Sequence, residues 1–122
     1  MKPVNHIKIT KGMSVNDLVK QMDSVGVLAG GRLGKAVDIC EAMVKDKNCK
    51  VFLGLAGPLV PGGMREIIIN MIESKWIDVV VTTGATLTHD LGEALGYRHY
   101  QGSAEADDAE LYKKGFDRVY ES

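Results

Sequence analysis

The chain has 122 residues, a length typical of one domain, and we expect residues 1–122 to form a single domain. Its 15 basic residues nearly balance its 16 acidic residues and form no basic block, which excludes a nucleic-acid partner. No apolar run approaches the roughly 20 residues of a membrane helix, and the N-terminus lacks the apolar core of a signal peptide. We therefore expect a cytoplasmic protein with no membrane partner, in which Cys40 and Cys49 are reduced thiols.

Two helices are predicted in the first part of the chain. Ser14 is a typical N-cap, and the apolar positions after it repeat at helical spacing until Gly26, which we expect to end the first helix. Gly30 and Gly31 are expected to break the chain again. The second helix is therefore predicted over residues 32–45.

The next part of the chain has the pattern of a strand, a helix and a second strand. The strands are predicted at residues 51–55 and 77–82, and the helix at residues 64–74. Such a unit indicates parallel strands joined by a right-handed crossover, and hence an α/β protein. The three valines at positions 79–81 have no polar alternation, which predicts burial on both faces of the sheet.

Shorter elements are predicted after the second strand. A helix is expected from Thr86 or Thr88 to about Leu95, and another over residues 107–114 with Gly115 as its cap. Short strands are expected at residues 97–101 and 118–120.

Two loops are the candidate ligand site. Residues 55–63 and 83–90 leave the carboxyl ends of neighbouring parallel strands, where open α/β sheets bind ligands, and helix N-termini at that edge attract phosphate. The first loop is neither GxGxxG nor a P-loop. The residues alone therefore leave two interpretations open, a nucleotide or phosphate site and a pair of tight turns shaped by glycine and proline.

His89 is the side chain at this edge that best fits a binding role. Asp90, beside it, is interpreted as a helix cap or a first-turn acid. A metal site formed by His89, His99 and Asp108 would match no established ligand spacing, so no metal is expected.

Two long motifs carry a family resemblance. FLGLAGPLVPGGMREII at residues 52–68 and IDVVVTTGATLTHDLGEALG at residues 77–96 resemble deoxyhypusine synthases of the archaeal type. The tail HYQGSAEADDAELYKKGFDRVYES continues the similarity, which covers roughly residues 30–122. The resemblance implies part of a Rossmann-like, three-layer αβα fold with a parallel sheet.

The resemblance also implies an activity. The family uses NAD to oxidise a polyamine such as spermidine. It passes the aminobutyl group through an enzyme lysine to a lysine of the hypusine-carrying translation factor. Its active sites lie between the subunits of an oligomer.

Site residues follow by matching positions in the two motifs. Thr88 and His89 fall where the animal and fungal enzymes have two adjacent glutamates, and are expected to bind the amine substrate. This replacement removes two carboxylates that would attract a cation. The amine that donates the transferred group could therefore be spermidine, agmatine or another amine. The residues expected to bind the cofactor are Gly57, Pro58, Leu59, Val60, Pro61, Thr83, Gly84, Ala85 and His89.

The family's catalytic lysine lies in a C-terminal part that has no counterpart in these 122 residues, so no catalytic residue is expected in this chain. The preferred hypothesis is the N-terminal half of a split synthase, completed in a hetero-oligomer by a complementary chain that carries the lysine. The alternatives are a non-catalytic regulatory or structural paralogue, and a stand-alone NAD-binding module or truncated chain. A half-sheet is expected to leave an open strand edge and uncovered apolar faces.

Overall fold

The computed structural model describes residues 1–122, which divide into two compact units, Met1–Lys50 and Val51–Ser122. The single domain expected from chain length stays a prediction. The elements in chain order are α1 (Val15–Val25), α2 (Leu28–Lys45), β1 (Phe52–Gly54), α3 (Arg65–Glu73), β2 (Val79–Val81), α4 (Gly84–Ala94) and α5 (Asp108–Lys113).

The first unit is an α-hairpin of α1 packed on α2. The start of α1 is a capping box, in which the Asp17 amide donates to Ser14 Oγ at 3.1 Å and the Ser14 amide donates to Asp17 Oδ2 at 3.3 Å. Ser14 Oγ also donates to Asp17 Oδ2 at 2.7 Å, and this hydrogen bond, together with the one from the Ser14 amide, lowers the pKa of the Asp17 carboxyl. Gly26 ends the helix in the left-handed conformation, with φ of 72°. Both predicted boundaries of this helix are confirmed.

The predicted start of the second helix is wrong. α2 begins at Leu28, so Gly30 and Gly31 lie inside the helix and do not break it. Tertiary packing overrides the low helix propensity of glycine here. A Cβ at Gly31 would lie 2.6 Å from the Gly26 carbonyl carbon, and a Cβ at Gly34 would lie 2.4 Å from the Cα of Asp23. The glycines therefore allow the two helices to approach closely.

The second unit contains a two-stranded parallel sheet, which confirms the α/β class and the predicted strand pairing. Phe52 is paired with Val79 and Gly54 with Val81. Each strand is three residues long, shorter than predicted. The three-layer arrangement implied by the resemblance stays a prediction.

The prediction that the valine run is buried on both faces is wrong for this chain. Val79 and Val80 are each 38% exposed and Val81 is 57% exposed, while Phe52 on the paired strand is 64% exposed. Two short strands are too few to form a covered sheet. The β-branched run therefore presents apolar surface that this chain leaves open.

The helices of the second unit begin at side-chain caps. Thr83 accepts from the Thr86 amide at the start of α4, so the helix begins earlier than predicted. Asp107 accepts from the Ala109 amide at the start of α5, and Gly115 follows that helix with φ of 77°, as predicted. No helix in the structure has the length and apolar character needed to cross a membrane.

Neither of the two short strands predicted near the C-terminus forms. After α4 the chain reverses at Gly96, where the Tyr97 amide donates to the Gly92 carbonyl at 3.0 Å in a Schellman motif. At residues 118–120 the Arg118 guanidinium donates to the Tyr120 carbonyl at 2.8 Å, and Tyr120 has φ of 54°. The first segment continues from the turn at Gly96 without regular structure, and the second ends in a turn closed by local hydrogen bonds.

Candidate functional site

The two predicted loops meet beyond the carboxyl ends of β1 and β2. The first loop forms a 3₁₀ turn at Gly57–Leu59 and a π-helical turn at Val60–Met64, and both turns pack on α4. The Thr86 hydroxyl donates to the Ala56 carbonyl at 3.2 Å, and the Thr86 side chain is buried. Val60 is also buried, so this junction is where the second unit has its small core.

Gly57 makes the close approach of the loops possible. A Cβ at this position would lie 3.0 Å from the Ala85 Cβ and 3.6 Å from Thr83 Oγ1. The first contact is tighter than ordinary van der Waals packing, so a side chain here would require Ala85 to shift by a few tenths of an ångström. Sequence reasoning placed Gly57, Thr83 and Ala85 in one site, and the structure brings them into one cluster.

The cluster has features that fit the phosphates of a dinucleotide. The first amides of α4 have no acceptor within the helix, and the helix dipole is positive at this end. A Cβ at Gly62, Gly63 or Gly84 would meet nothing within 4 Å, so the backbone at these positions is open to a ligand. Thr82 Oγ1, next to β2, is buried without a hydrogen-bond partner, which is uncommon for a buried polar atom.

A cavity of about 630 Å³ adjoins the first loop. Of the five residues expected to bind the cofactor in that loop, Pro58 and Pro61 line this cavity, and Gly57, Leu59 and Val60 do not. The complete lining is Pro58, Pro61, Gly62, Gly63, His99, Tyr100, Gln101, Val119, Tyr120, Glu121 and Ser122.

His89 belongs to a hydrogen-bonded chain of three side chains. Its Nδ1 lies 3.0 Å from His99 Nε2, and His99 Nδ1 lies 2.9 Å from Glu93 Oε1. Arg98 donates to the other carboxylate oxygen of Glu93 at 3.2 Å. The hydrogen bond from His99 lowers the pKa of the Glu93 carboxyl, against an opposing effect of its partial desolvation. The carboxylate is therefore held in its charged form.

Sequence reasoning missed Glu93, and it named His99 only in a metal site that it set aside, not as a hydrogen-bond partner of His89. Glu93 could have been found, because it follows His89 by four residues and so lies on the same face of α4. His99 could not, because its position depends on the chain reversal at Gly96.

Two other expected residues are engaged elsewhere. The Thr88 hydroxyl donates to the Gly84 carbonyl of its own helix at 2.9 Å. The interpretation of Asp90 as a cap or first-turn acid is wrong, because α4 begins at Gly84 and Asp90 lies in its second turn. Asp90 accepts from Arg65 Nε at 2.8 Å, which ties α4 to α3 and raises the pKa of the guanidinium.

Asp108 does not join the histidine pair. It accepts from Arg118 Nε at 2.8 Å and from a terminal guanidinium nitrogen at 3.1 Å. This pairing lowers the pKa of the Asp108 carboxyl.

Comparison with known proteins gives a consistent result. The family model described as deoxyhypusine synthase matches residues 17–122. A protein named "Probable deoxyhypusine synthase" from Methanothermobacter thermautotrophicus is 44% identical over 95% of this chain and 38% of its own length. "Probable deoxyhypusine synthase 2" from Methanosarcina acetivorans is 46% identical over 91% of this chain and 32% of its own length. "Deoxyhypusine synthase-like protein" from Chlorobaculum parvum is 41% identical over 99% of this chain and 34% of its own length.

The chain therefore spans about a third of the length of these curated relatives. The matched region contains the loop cluster and the His89, His99 and Glu93 side chains. On the extent of the family match, this chain belongs to the deoxyhypusine synthase family.

Proposed function

We propose that this chain forms the N-terminal, NAD-binding and amine-binding part of a split deoxyhypusine synthase. The reaction is the NAD-dependent transfer of an aminobutyl group from a polyamine to a lysine of the hypusine-carrying translation factor. The catalytic lysine is supplied by a second chain that carries the rest of the family sequence. The observation that carries the proposal is the cluster of Gly57, Thr83 and Ala85 at the carboxyl ends of two parallel strands.

Residues of this chain have separate roles in the proposed site. The amides of Gly84 and Ala85 at the start of α4 would bind a phosphate oxygen. Pro58 and Pro61 line the cavity that adjoins the first loop. NAD, when bound, supplies the acceptor and later the donor of a hydride. His89 is assigned to the amine by its position in the family motif, and its hydrogen-bond partner His99 lines the cavity.

The exposed apolar surface of the sheet supports a complementary chain. Phe52 and Val81 lie on paired strands and are each more than half exposed. Apolar surface of this kind on a paired strand is typical of an interface, and both edges of a two-stranded sheet can accept a further strand. We therefore expect a hetero-oligomer in which the partner extends or covers this sheet.

NAD binding is tested with a pair of glycine substitutions. Gly57→Ala places a Cβ 3.0 Å from Ala85 and should open the loop cluster, whereas Gly92→Ala in α4 meets nothing within 4 Å. Overpacking by one methyl typically costs about 1–3 kcal/mol, so Gly57→Ala should weaken NAD binding roughly tenfold to hundredfold. The affinity for NAD is measured by calorimetric titration of NAD into the complex of this chain and its partner. Equal affinities for the two variants would contradict the proposed cofactor site.

Transfer is tested by complementation. The chain is combined with a chain from the same organism that carries the remaining family sequence, and aminobutyl transfer from labelled spermidine or agmatine to the translation factor is followed. We expect transfer only when both chains are present. Transfer by the 122-residue chain alone would refute the split-enzyme proposal. Stable pairing with a complete synthase would support a regulatory paralogue, and NAD binding with no partner would support a stand-alone module.

A further inference from the structure

The hydrogen-bonded chain of Glu93, His99 and His89 has a consequence for the site. We propose that Glu93 and His99 are positioning residues that hold His89 with its ring proton on Nδ1, so that His89 Nε2 accepts a proton from a cationic amine substrate. This role rests on the proposed function. The arrangement itself rests on geometry within the second unit alone.

The direction of the hydrogen bonds follows from the carboxylate. An ionised Glu93 can only accept, so His99 Nδ1, at 2.9 Å, must be the donor. When the His99 ring is neutral, its single proton is the one on Nδ1, so its Nε2 is an acceptor. In that state His89 Nδ1, at 3.0 Å, is the donor to His99 Nε2.

This assignment leaves a lone pair on His89 Nε2, and the structure gives that atom no hydrogen-bond partner. Arg98 pairs with the second oxygen of Glu93 at 3.2 Å, which fixes the carboxylate so that its first oxygen faces His99. Both imidazoles are partly buried. Water therefore competes less with the hydrogen bonds that set the tautomer.

The chemistry suits an amine. A polyamine nitrogen is an ammonium group at neutral pH and has no lone pair until it loses a proton. His89 Nε2 takes that proton, the N–H bond of the ammonium breaks, and its electron pair stays on the amine nitrogen. The imidazolium that forms on His89 is stabilised through His99 by the charge of Glu93.

Glu93 offers a partial replacement for the two carboxylates that this chain lacks beside the amine. Thr88 and His89 stand where the animal and fungal enzymes have adjacent glutamates. Here one carboxylate, Glu93, lies a helical turn further on and acts through His99. The site therefore lacks the two glutamates next to the substrate but keeps one negative charge, on Glu93, which acts on His89 through His99.

The tautomer is tested on the chain as it stands, by nitrogen-15 NMR of the histidine side chains. The chain has only 3 histidines, so each imidazole can be assigned by substitution. In the wild type we expect His89 protonated at Nδ1 and unprotonated at Nε2. In His99→Phe we expect His89 to return to the usual Nε2–H form, and in His6→Gln we expect no change. A wild-type His89 protonated at Nε2 would overturn the inference.

The amine role is tested in the complemented enzyme. General acid–base catalysis typically contributes about 10²–10⁴-fold, so His89→Gln should lower kcat by that order with little change in KM. Glu93→Gln keeps an acceptor for His99 but removes the charge, and should lower kcat by less than His89→Gln. Amide spectra that match the wild type confirm that each variant is folded.

The outcomes separate this inference from the proposed function. If His89 has the expected tautomer but the wild-type complex transfers nothing, the proposed function fails and the amine role fails with it. If the complex transfers normally and His89→Gln has an unchanged kcat, the amine role is refuted while the proposed function stands.

Discussion

Replacing Gly34 by alanine should weaken the α1–α2 pair, whereas replacing Gly30 in the same helix should strengthen it. A Cβ at Gly34 would lie 2.4 Å from backbone atoms of Asp23, and a Cβ at Gly30 would meet nothing within 4 Å. Both substitutions are the same chemical change within α2, with Gly30 in its first turn and Gly34 in its second.

The magnitude follows from two opposing effects. Glycine to alanine in a helix interior is favourable by about 1 kcal/mol, and Gly30→Ala should gain at most this amount because Gly30 lies in the first turn of α2. Overpacking costs about 1–3 kcal/mol, and the upper end applies at Gly34 because backbone atoms of Asp23 cannot rotate away as a side chain could. Gly34→Ala should therefore lose about 2 kcal/mol net, which leaves the two variants about 2–3 kcal/mol apart.

Urea denaturation followed by far-ultraviolet circular dichroism measures the difference. We expect the transition midpoint of Gly34→Ala to fall and that of Gly30→Ala to rise relative to the wild type, with similar slopes. Equal stabilisation by both substitutions would show that the helices do not approach closely at Gly34, and the account of why α2 tolerates its glycines would be wrong.

Three further substitutions test other contacts. Ser14→Ala removes the N-cap of α1 and should lower the free energy of unfolding by about 1 kcal/mol in urea denaturation. Glu93→Gln should destabilise the chain near neutral pH and lose this effect in acid. The pKa of Glu93 is depressed below its ordinary value of 4.5, so its stabilisation is present above that pH and is lost as the pH falls through the lowered pKa. Arg65→Met breaks the 2.8 Å contact with Asp90 between α3 and α4, and should lower the thermal midpoint measured by calorimetry.

Each of these has a control or a contradicting result. Ser24→Ala keeps the cap of α1 and should have a smaller effect than Ser14→Ala, because its hydroxyl donates only to a carbonyl of its own helix. Lys113→Met removes a solvent-exposed pair with Glu110 and should leave the thermal midpoint nearly unchanged. If the Glu93→Gln variant lost stability in acid as steeply as the wild type, the carboxylate would not be held by His99.

Element boundaries could be predicted where short-range rules decide them. The capping box at Ser14 and the left-handed glycines at positions 26 and 115 depend on neighbours within a few residues. The start of α2 could not be predicted, because Gly31 and Gly34 owe their place to the backbone of α1. The prediction of two short strands near the C-terminus was wrong for a related reason. Residues that favour β-structure form a strand only beside a pairing partner.

The candidate site was predictable only in part. The position of both loops follows from the order of strands and helices, because parallel strands bring their carboxyl ends to one edge. The close contact between Gly57 and Ala85 agrees with this prediction. Residue spacing alone does not predict how closely the two loops approach.

By itself, the sequence determined the α/β class, the parallel strand pair, the two loops at its edge and the family, since these depend on periodicity, turn residues and long matching motifs. Only the tertiary structure decided the partners of His89. Gly96 reverses the chain after α4, and this places His99 between His89 and Glu93. Such a contact depends on where a turn directs the chain, and residue spacing does not encode it. The tertiary structure also decided the exposure of the valine run. Burial depends on which elements lie beside a strand and not on the strand's own residues.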